Sequence, residues 1–222
     1  MSSLNNKLAL FVVAVLIIFY QMYPQVSFQV GDIIFQDLDC GPPCDAIEAV
    51  TSGYNGAQLS HCGIITEVKG EDFSQIFVIE AIGDGVIKTP LDEFLDRDDR
   101  VIVGRLKNDY QYMISDAIAY IENHIFGKPY DYIFDLTDDT YYCSEVIYKG
   151  FEMADSTQNL FAINPMTFNE PNTDTPFVHW ISYYEELNAK IPEGEPGLNP
   201  GGISQSDKID IIYTFNKPNG MK

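Results

Sequence analysis

Three side chains in this 222-residue sequence have types that would work together as a nucleophile, a base and an orienting acid. Cys143 lies in Tyr141-Tyr142-Cys143-Ser144-Glu145, at the expected start of a helix. A thiol there meets unpaired backbone N–H groups and the positive end of the helix dipole, and both favour the thiolate. His61, in Ser60-His61-Cys62-Gly63-Ile64, enters an expected strand and could take the thiol proton. Glu80, in Ile79-Glu80-Ala81, is a carboxylate inside an otherwise apolar strand and could fix the imidazole tautomer. Amides at the same helix start could stabilise an oxyanion. These are the parts for acyl transfer through a thioester. Asp138, Asp139 and Glu145 flank the cysteine and would oppose its ionisation if they pointed at it.

Each residue also has a plainer reading. A cysteine near a helix start is more often a small buried hydrophobe. His61 could be a hydrogen-bonded structural histidine, and Glu80 an edge residue with its carboxylate in solvent. The only other histidines are His124 and His179. Cys40 and Cys44, in Cys-Gly-Pro-Pro-Cys, could form a short disulfide in an oxidising compartment. Alternatively Cys40, Cys44, Cys62 and His61 could converge on zinc, which would make a metal-stabilised binding module. That spacing matches no common zinc template.

The elements that must carry these groups are mixed α and β. Strand signals fall at Asp32–Phe35, His61–Val68, Ile76–Ala81, Val101–Leu106 and Ile209–Phe215, each rich in Val, Ile, Phe or Thr. Residues 69–72 (Lys-Gly-Glu-Asp) read as a hairpin connection between the second and third. The apolar spacing of Ile114, Ala117, Ile118, Ile121 and Ile125 predicts a helix over Tyr110–Ile125, stopped by Gly127 and Pro129. A second helix begins at Tyr142 or Cys143 and buries Val146, Ile147, Phe151 and Ala154. Gly150 weakens it by ~1 kcal/mol relative to Ala, so packing must hold that turn. A shorter helix fits Asp45–Thr51. The segment Phe177–Tyr184 reads as an amphipathic helix with Trp180, Ile181 and Tyr184 buried. Pro192–Gly202 reads as an irregular connection.

Composition limits what such a site could serve. With 45% apolar residues, 14 Tyr and 14 Phe, the chain can build a core. Its 33 acidic and 13 basic residues give a net charge of -20. Such a surface repels phosphate backbones and speaks against nucleic acid as a partner. Leu8–Tyr20 is an uninterrupted apolar run behind Lys7. It is short for a span of ~20 residues and suits a signal segment. No small-residue cleavage pattern follows, so residues 1–23 read as a signal peptide or an uncleaved signal anchor. The sole nearby basic residue precedes the run, which predicts a body outside the cytoplasm, membrane-anchored or secreted. A buried core helix is the plainer alternative.

The connection between the three side chains comes from resemblance. In order, the chain carries GDIIF, LSHCGIITE, VIEAIGDGVIKTPLDEFLDR and GKPYDYIFDLTDDTYYCSEVIYKGF, and then, more weakly, PGLNPGGISQSDKID. This succession resembles the YiiX/YebB-like family of permuted NlpC-type papain-like enzymes, with bacterial and poxvirus members. Circular permutation accounts for histidine preceding cysteine. The resemblance implies an α+β domain over residues 28–216, with a small antiparallel sheet or partial barrel packed against the nucleophile helix. It implies Cys143 as nucleophile, His61 as base and Glu80 as orienting acid, with Asp131 of GKPYD as the reserve for the third role. It implies a cysteine hydrolase acting on an amide or peptide, without cofactor or metal. Small amides, peptides, cell-wall fragments and lipids are the candidate substrates. Permuted NlpC-type folds also resemble lecithin:retinol acyltransferase-like proteins, so a lipid acyltransferase or phospholipase stands as a rival. A non-catalytic binding module is another.

Overall fold

A computed structural model describes residues 26–222, so the N-terminal apolar run lies outside the described residues. Among the described residues no helix is long and apolar enough to cross a membrane. Six strands form one antiparallel sheet: β1 (Ile33–Gln36), β2 (His61–Val68), β3 (Ile76–Ile82), β4 (Gly85–Pro90), β5 (Val101–Leu106) and β8 (Ile209–Thr214). Their order across the sheet is β4-β3-β2-β1-β5-β8. The remaining two, β6 (Asn164–Pro165) and β7 (Pro196–Gly197), make a separate two-stranded ribbon. The helices are α1 (Pro42–Val50), α2 (Leu91–Arg97), α3 (Ile114–Tyr120), α4 (Cys143–Ala154), α5 (Val178–Glu186) and α6 (Pro200–Ser204).

Alternating side chains divide the sheet into two buried faces. Ile33, Phe35, Cys62, Ile64, Ile79 and Ile102 face α3 and α4. Ile34, Ile65, Val78 and Val103 face Phe28 and the α2 residues Leu91 and Phe94. A third cluster gathers Phe168, Trp180 and Tyr184 with Ala46 of α1. Helix α4 forms where its apolar spacing predicts, and Gly150 has a packing reason. A Cβ there would meet Ile121 Cδ1 at 2.6 Å, so the missing side chain lets the two helices close on each other.

Several expectations need correction. Tyr110–Ile125 is not one regular helix: a 3₁₀ segment, Asn108–Met113, precedes α3, and a wider π turn, Ile121–Ile125, follows it. Strand β4 is an addition, carried by Gly85-Val86-Ile87-Lys88-Thr89-Pro90, whose mixed polarity hides the alternation. Helix α1 starts earlier than Asp45, because Pro42 and Pro43 fit the first turn, where no N–H is needed. Ile181 is exposed, since only Trp180 and Tyr184, four residues apart, share the buried stripe. The Pro192–Gly202 stretch is not wholly irregular: it contains β7 and the start of α6.

Candidate active site

His61 opens β2, and Gly63, two residues on, pairs with Glu80 of β3. His61 and Glu80 therefore stand on one face of the sheet, a diagonal apart. A Cβ at position 63 would meet Val78 Cγ1 at 2.4 Å and Glu80 Cβ at 3.3 Å. Glycine keeps that strip of the face clear for the two functional side chains. His61 Nε2 lies 2.6 Å from Glu80 Oε2. The same carboxylate accepts from Thr89 Oγ1 of β4 at 2.6 Å. Arg97 Nη2, at the end of α2, reaches both Glu80 oxygens, at 2.8 and 2.6 Å.

Glu80 has no solvent exposure. Burial alone would raise its pKa, but the His61 hydrogen bond and the charges of His61 and Arg97 outweigh it and bring Glu80 to about 2. The carboxylate is thus ionised across the neutral range. Burial likewise disfavours a charged His61, yet its bonds to Cys143 and Glu80 push it up to about 9. Because Nε2 is engaged by Glu80, Nδ1 is the ring nitrogen left for the thiol.

Cys143 begins α4, as its sequence context predicts. A hydrogen bond from Cys62 is the strongest influence on its thiol; burial opposes ionisation, and His61 then favours it through hydrogen bond and charge. The balance holds Cys143 well below the ordinary thiol range. Burial pushes Cys62 the other way, so it stays a thiol and can donate. Cys62 and Cys143 are the free cysteines, while Cys40 and Cys44 form a disulfide. Tyr142, at the N-cap, contributes no side-chain cap to α4. The first-turn amides beside the sulfur are therefore not taken up by a cap and suit an incoming carbonyl oxygen.

The flanking carboxylates do not point at the sulfur as free charges. Asp138 accepts from Thr140, and Asp139 pairs with Lys128. Glu145 is fully buried, with neither carboxyl oxygen in a well-formed hydrogen bond. Burial, with Asp131 nearby, pushes it up to about 8, so it is mostly neutral at pH 7. In the unfolded chain it ionises near its ordinary value of 4.5. Folding therefore takes up a proton between those values. Stability from this group is fully present below pH 4.5 and is lost as pH rises through 8. Glu145→Gln should flatten that slope, a change on the order of a few kcal/mol by pH 9. Denaturant unfolding of both proteins at pH 5, 7 and 9 would check it, and parallel curves would refute it.

Asp131, the reserve for the third role, sits elsewhere. Its carboxylate accepts from the backbone N–H groups of Ile133, Phe134 and Asp135 at 2.7, 2.9 and 2.6 Å. It braces a turn in which Phe134 takes a left-handed conformation, φ 59°, unfavourable for a bulky residue. Its neighbour Tyr130 matters more to the site and escaped the sequence reading. Tyr130 lines the same cleft as Cys143, and burial and the Cys143 charge push its phenol up, so it keeps its O–H at neutral pH. Thr89, Phe94 and Arg97 were also missed. They come from β4 and α2, which no spacing links to His61.

Cys143 and His61 open into a cleft of about 610 Å³. Its walls include Ile47, Phe134, Met166, Trp180 and Leu198, brought from α1, the loop before α4, the residue after β6, α5 and the segment before α6. Leu198 is tied to the nucleophile helix, since Ser144 Oγ donates to its carbonyl at 3.1 Å. No Asp, Glu, Lys or Arg lines this cleft among the described residues, although such residues make up 21% of the chain.

A family model described as permuted papain-like amidase enzyme, YaeF/YiiX, C92 family, matches residues 27–213. The chain belongs to that family. Protein YiiX of Escherichia coli strain K12, itself uncharacterized, is 30% identical over 128 residues. That match spans 57% of this chain and 58% of YiiX, less than two thirds of the relative. The crystal structure of metalloprotein yiiX from Escherichia coli O157:H7, a DUF1105 protein, superposes with a TM-score of 0.63 at 26% identity. It covers 84% of this chain and 97% of the E. coli chain. The α+β architecture and the papain-like amidase and peptidase class of the C92 family follow from these matches.

Proposed function

We propose that this protein is a cysteine hydrolase that cleaves an amide bond through Cys143, His61 and Glu80. The observation that supports the reading is the 2.6 Å bond from the His61 ring to the buried, ionised Glu80 carboxylate, with Cys143 and His61 in the wall of the same cleft. Cys143 thiolate attacks the acyl carbonyl, and the new oxyanion is met by first-turn amides of α4. Collapse breaks the C–N bond as the His61 imidazolium gives its proton to the leaving amine. Neutral His61 then takes a proton from water, which attacks the thioester. Release of the acid breaks the C–S bond and restores the thiolate–imidazolium pair.

The cleft narrows the substrate. Its walls are mostly apolar and free of Asp, Glu, Lys and Arg, so charged groups beside the scissile bond would lose hydration without gaining an oppositely charged partner. We infer an amide flanked by uncharged, largely apolar groups. A panel of fluorogenic amides tests this: uncharged apolar acyl groups should be turned over at least about tenfold faster than acidic or basic ones of equal size. Equal turnover across the panel, or turnover that survives Cys143→Ala, would refute the reading. The same apolar walls favour a second reading, transfer of the acyl group to a lipid hydroxyl. Ester rather than free acid as product in the presence of an alcohol would select it.

The relative from E. coli O157:H7 is a metalloprotein. In this chain Cys40 and Cys44 are consumed by their disulfide. Among the described residues no three His, Cys, Asp or Glu side chains converge as a metal cage. The zinc-module alternative would need Cys40 and Cys44 as thiolates, which their disulfide takes up. A body outside the cytoplasm, carried or held there by the N-terminal apolar run, accords with the Cys40–Cys44 disulfide.

A further inference from the structure

His61, Phe94, Arg97 and Glu80 form a closed constellation on the face of the sheet covered by α2. The His61 and Phe94 rings stack with centroids 5.5 Å apart and planes 27° apart. The Arg97 guanidinium lies over the other part of the same motif, its carbon 4.8 Å from the Phe94 centroid. Glu80 closes the ring by accepting from both cations, His61 at 2.6 Å and Arg97 at 2.8 and 2.6 Å. Thr89 supplies the remaining donor, at 2.6 Å. Arg97 enters from the surface, its side chain 29% exposed, whereas Glu80 is at 0%.

An ionised carboxylate bonded to histidine alone would hold the imidazolium proton strongly. That would suit thiolate formation but hinder the later steps, in which His61 must give the proton away and act as a neutral base. A second cation on the same carboxylate withdraws part of its pull. We propose that Arg97, assisted by Thr89, is a positioning residue that sets the grip of Glu80 on His61, so that the ring can pass its proton in both halves of the reaction. The inference rests on the Cys143–His61–Glu80 reading. Groups bearing on the pair are Cys143 and Glu80 at His61, and His61, Arg97 and Thr89 at Glu80. Arg97 bridges both oxygens through one nitrogen, so a lysine ammonium could take over its charge, though not its stacking on Phe94.

The test follows the His61 ring proton by NMR titration in the full chain, alongside single-turnover kinetics with a neutral acyl ester. Arg97→Gln should raise the His61 midpoint by roughly one pH unit or more, the scale on which one adjacent charge acts. It should slow deacylation near pH 7 by about tenfold, the equivalent of one unit less neutral ring, so acyl-enzyme accumulates. Arg97→Lys should leave the midpoint near that of the unmodified protein. A folded Arg97→Gln protein with an unchanged midpoint overturns the proposal, even if its overall rate falls. If Arg97→Gln does not fold, Thr89→Val serves: a smaller upward shift supports the proposal, and none overturns it. Failure of the underlying reading looks different, because Cys143→Ala would then leave the His61 midpoint of the otherwise unmodified protein where it was.

Discussion

Cys143→Ala is expected to abolish alkylation by iodoacetamide at pH 7 and to reduce amide hydrolysis by roughly a thousandfold or more, since the attacking thiol is gone. Cys143→Ser should do nearly the same. Its hydroxyl ionises far above the range in which His61, up to about 9, can take its proton. The competing thiol is Cys62, which is at 0% exposure and pushed up by burial. Peptide mapping after labelling checks the prediction directly. Modification that persists at Cys62 in Cys143→Ala would mean that the reactive sulfur had been misassigned. Loss of labelling with unchanged hydrolysis would mean that the cleft works without the thioester.

Glu80 carries the second large expectation, because it is both a site residue and a buried structural ion. Glu80→Ala removes the acceptor for His61, Thr89 and Arg97 together. Breaking a buried ion pair from one side typically costs about 3–5 kcal/mol; the partial exposure of Arg97 places the loss toward the lower end. Glu80→Gln separates stability from chemistry. It keeps the volume and two polar atoms but removes the charge that holds the imidazolium. Burial, which lowers the His61 pKa, then has less opposing it, so the midpoint should fall from about 9. Labelling of Cys143 at pH 7 should slow by about tenfold or more, the effect of one unit in pKa. Asp131→Asn is the control: it should loosen the 131–135 turn and leave the His61 midpoint alone. A midpoint moved by Asp131→Asn and not by Glu80→Gln would exchange the two roles.

Much of this site was legible as residue types and very little of it as geometry. Cys143 could be placed on a helix start because Val146, Ile147 and Phe151 repeat at helical spacing behind it, and α4 begins at that cysteine. The strands bearing His61 and Glu80 announced themselves through dense β-branched residues, and both formed with nearly the expected bounds. Strand β4 did not, since Lys88 and Pro90 interrupt its pattern, and with β4 went Thr89. Helix α2 offered no long apolar stripe, and with it went Phe94 and Arg97. Glu145 looked like a threat to the thiolate in sequence, where its charge is all that can be seen. Burial is what raises it to about 8 and removes that threat at neutral pH.

The sequence by itself determined the covalent inventory: one thiol at a helix N-terminus, one histidine at a strand entrance, an acidic chain unsuited to nucleic acid, and motif order enough to mark the permuted papain-like class. Local spacing determines such features because helix and strand periods are set by the backbone alone. Only the tertiary structure decided which carboxylate faces His61, that Cys62 is buried while Cys143 opens into the cleft, and that the cleft holds no Asp, Glu, Lys or Arg among the described residues. Those outcomes depend on register between strands distant in sequence and on which groups burial strips of water. Gly63 opposite Glu80 is the clearest case: a slip of one residue in that pairing would turn the carboxylate to the other face of the sheet and leave His61 without it.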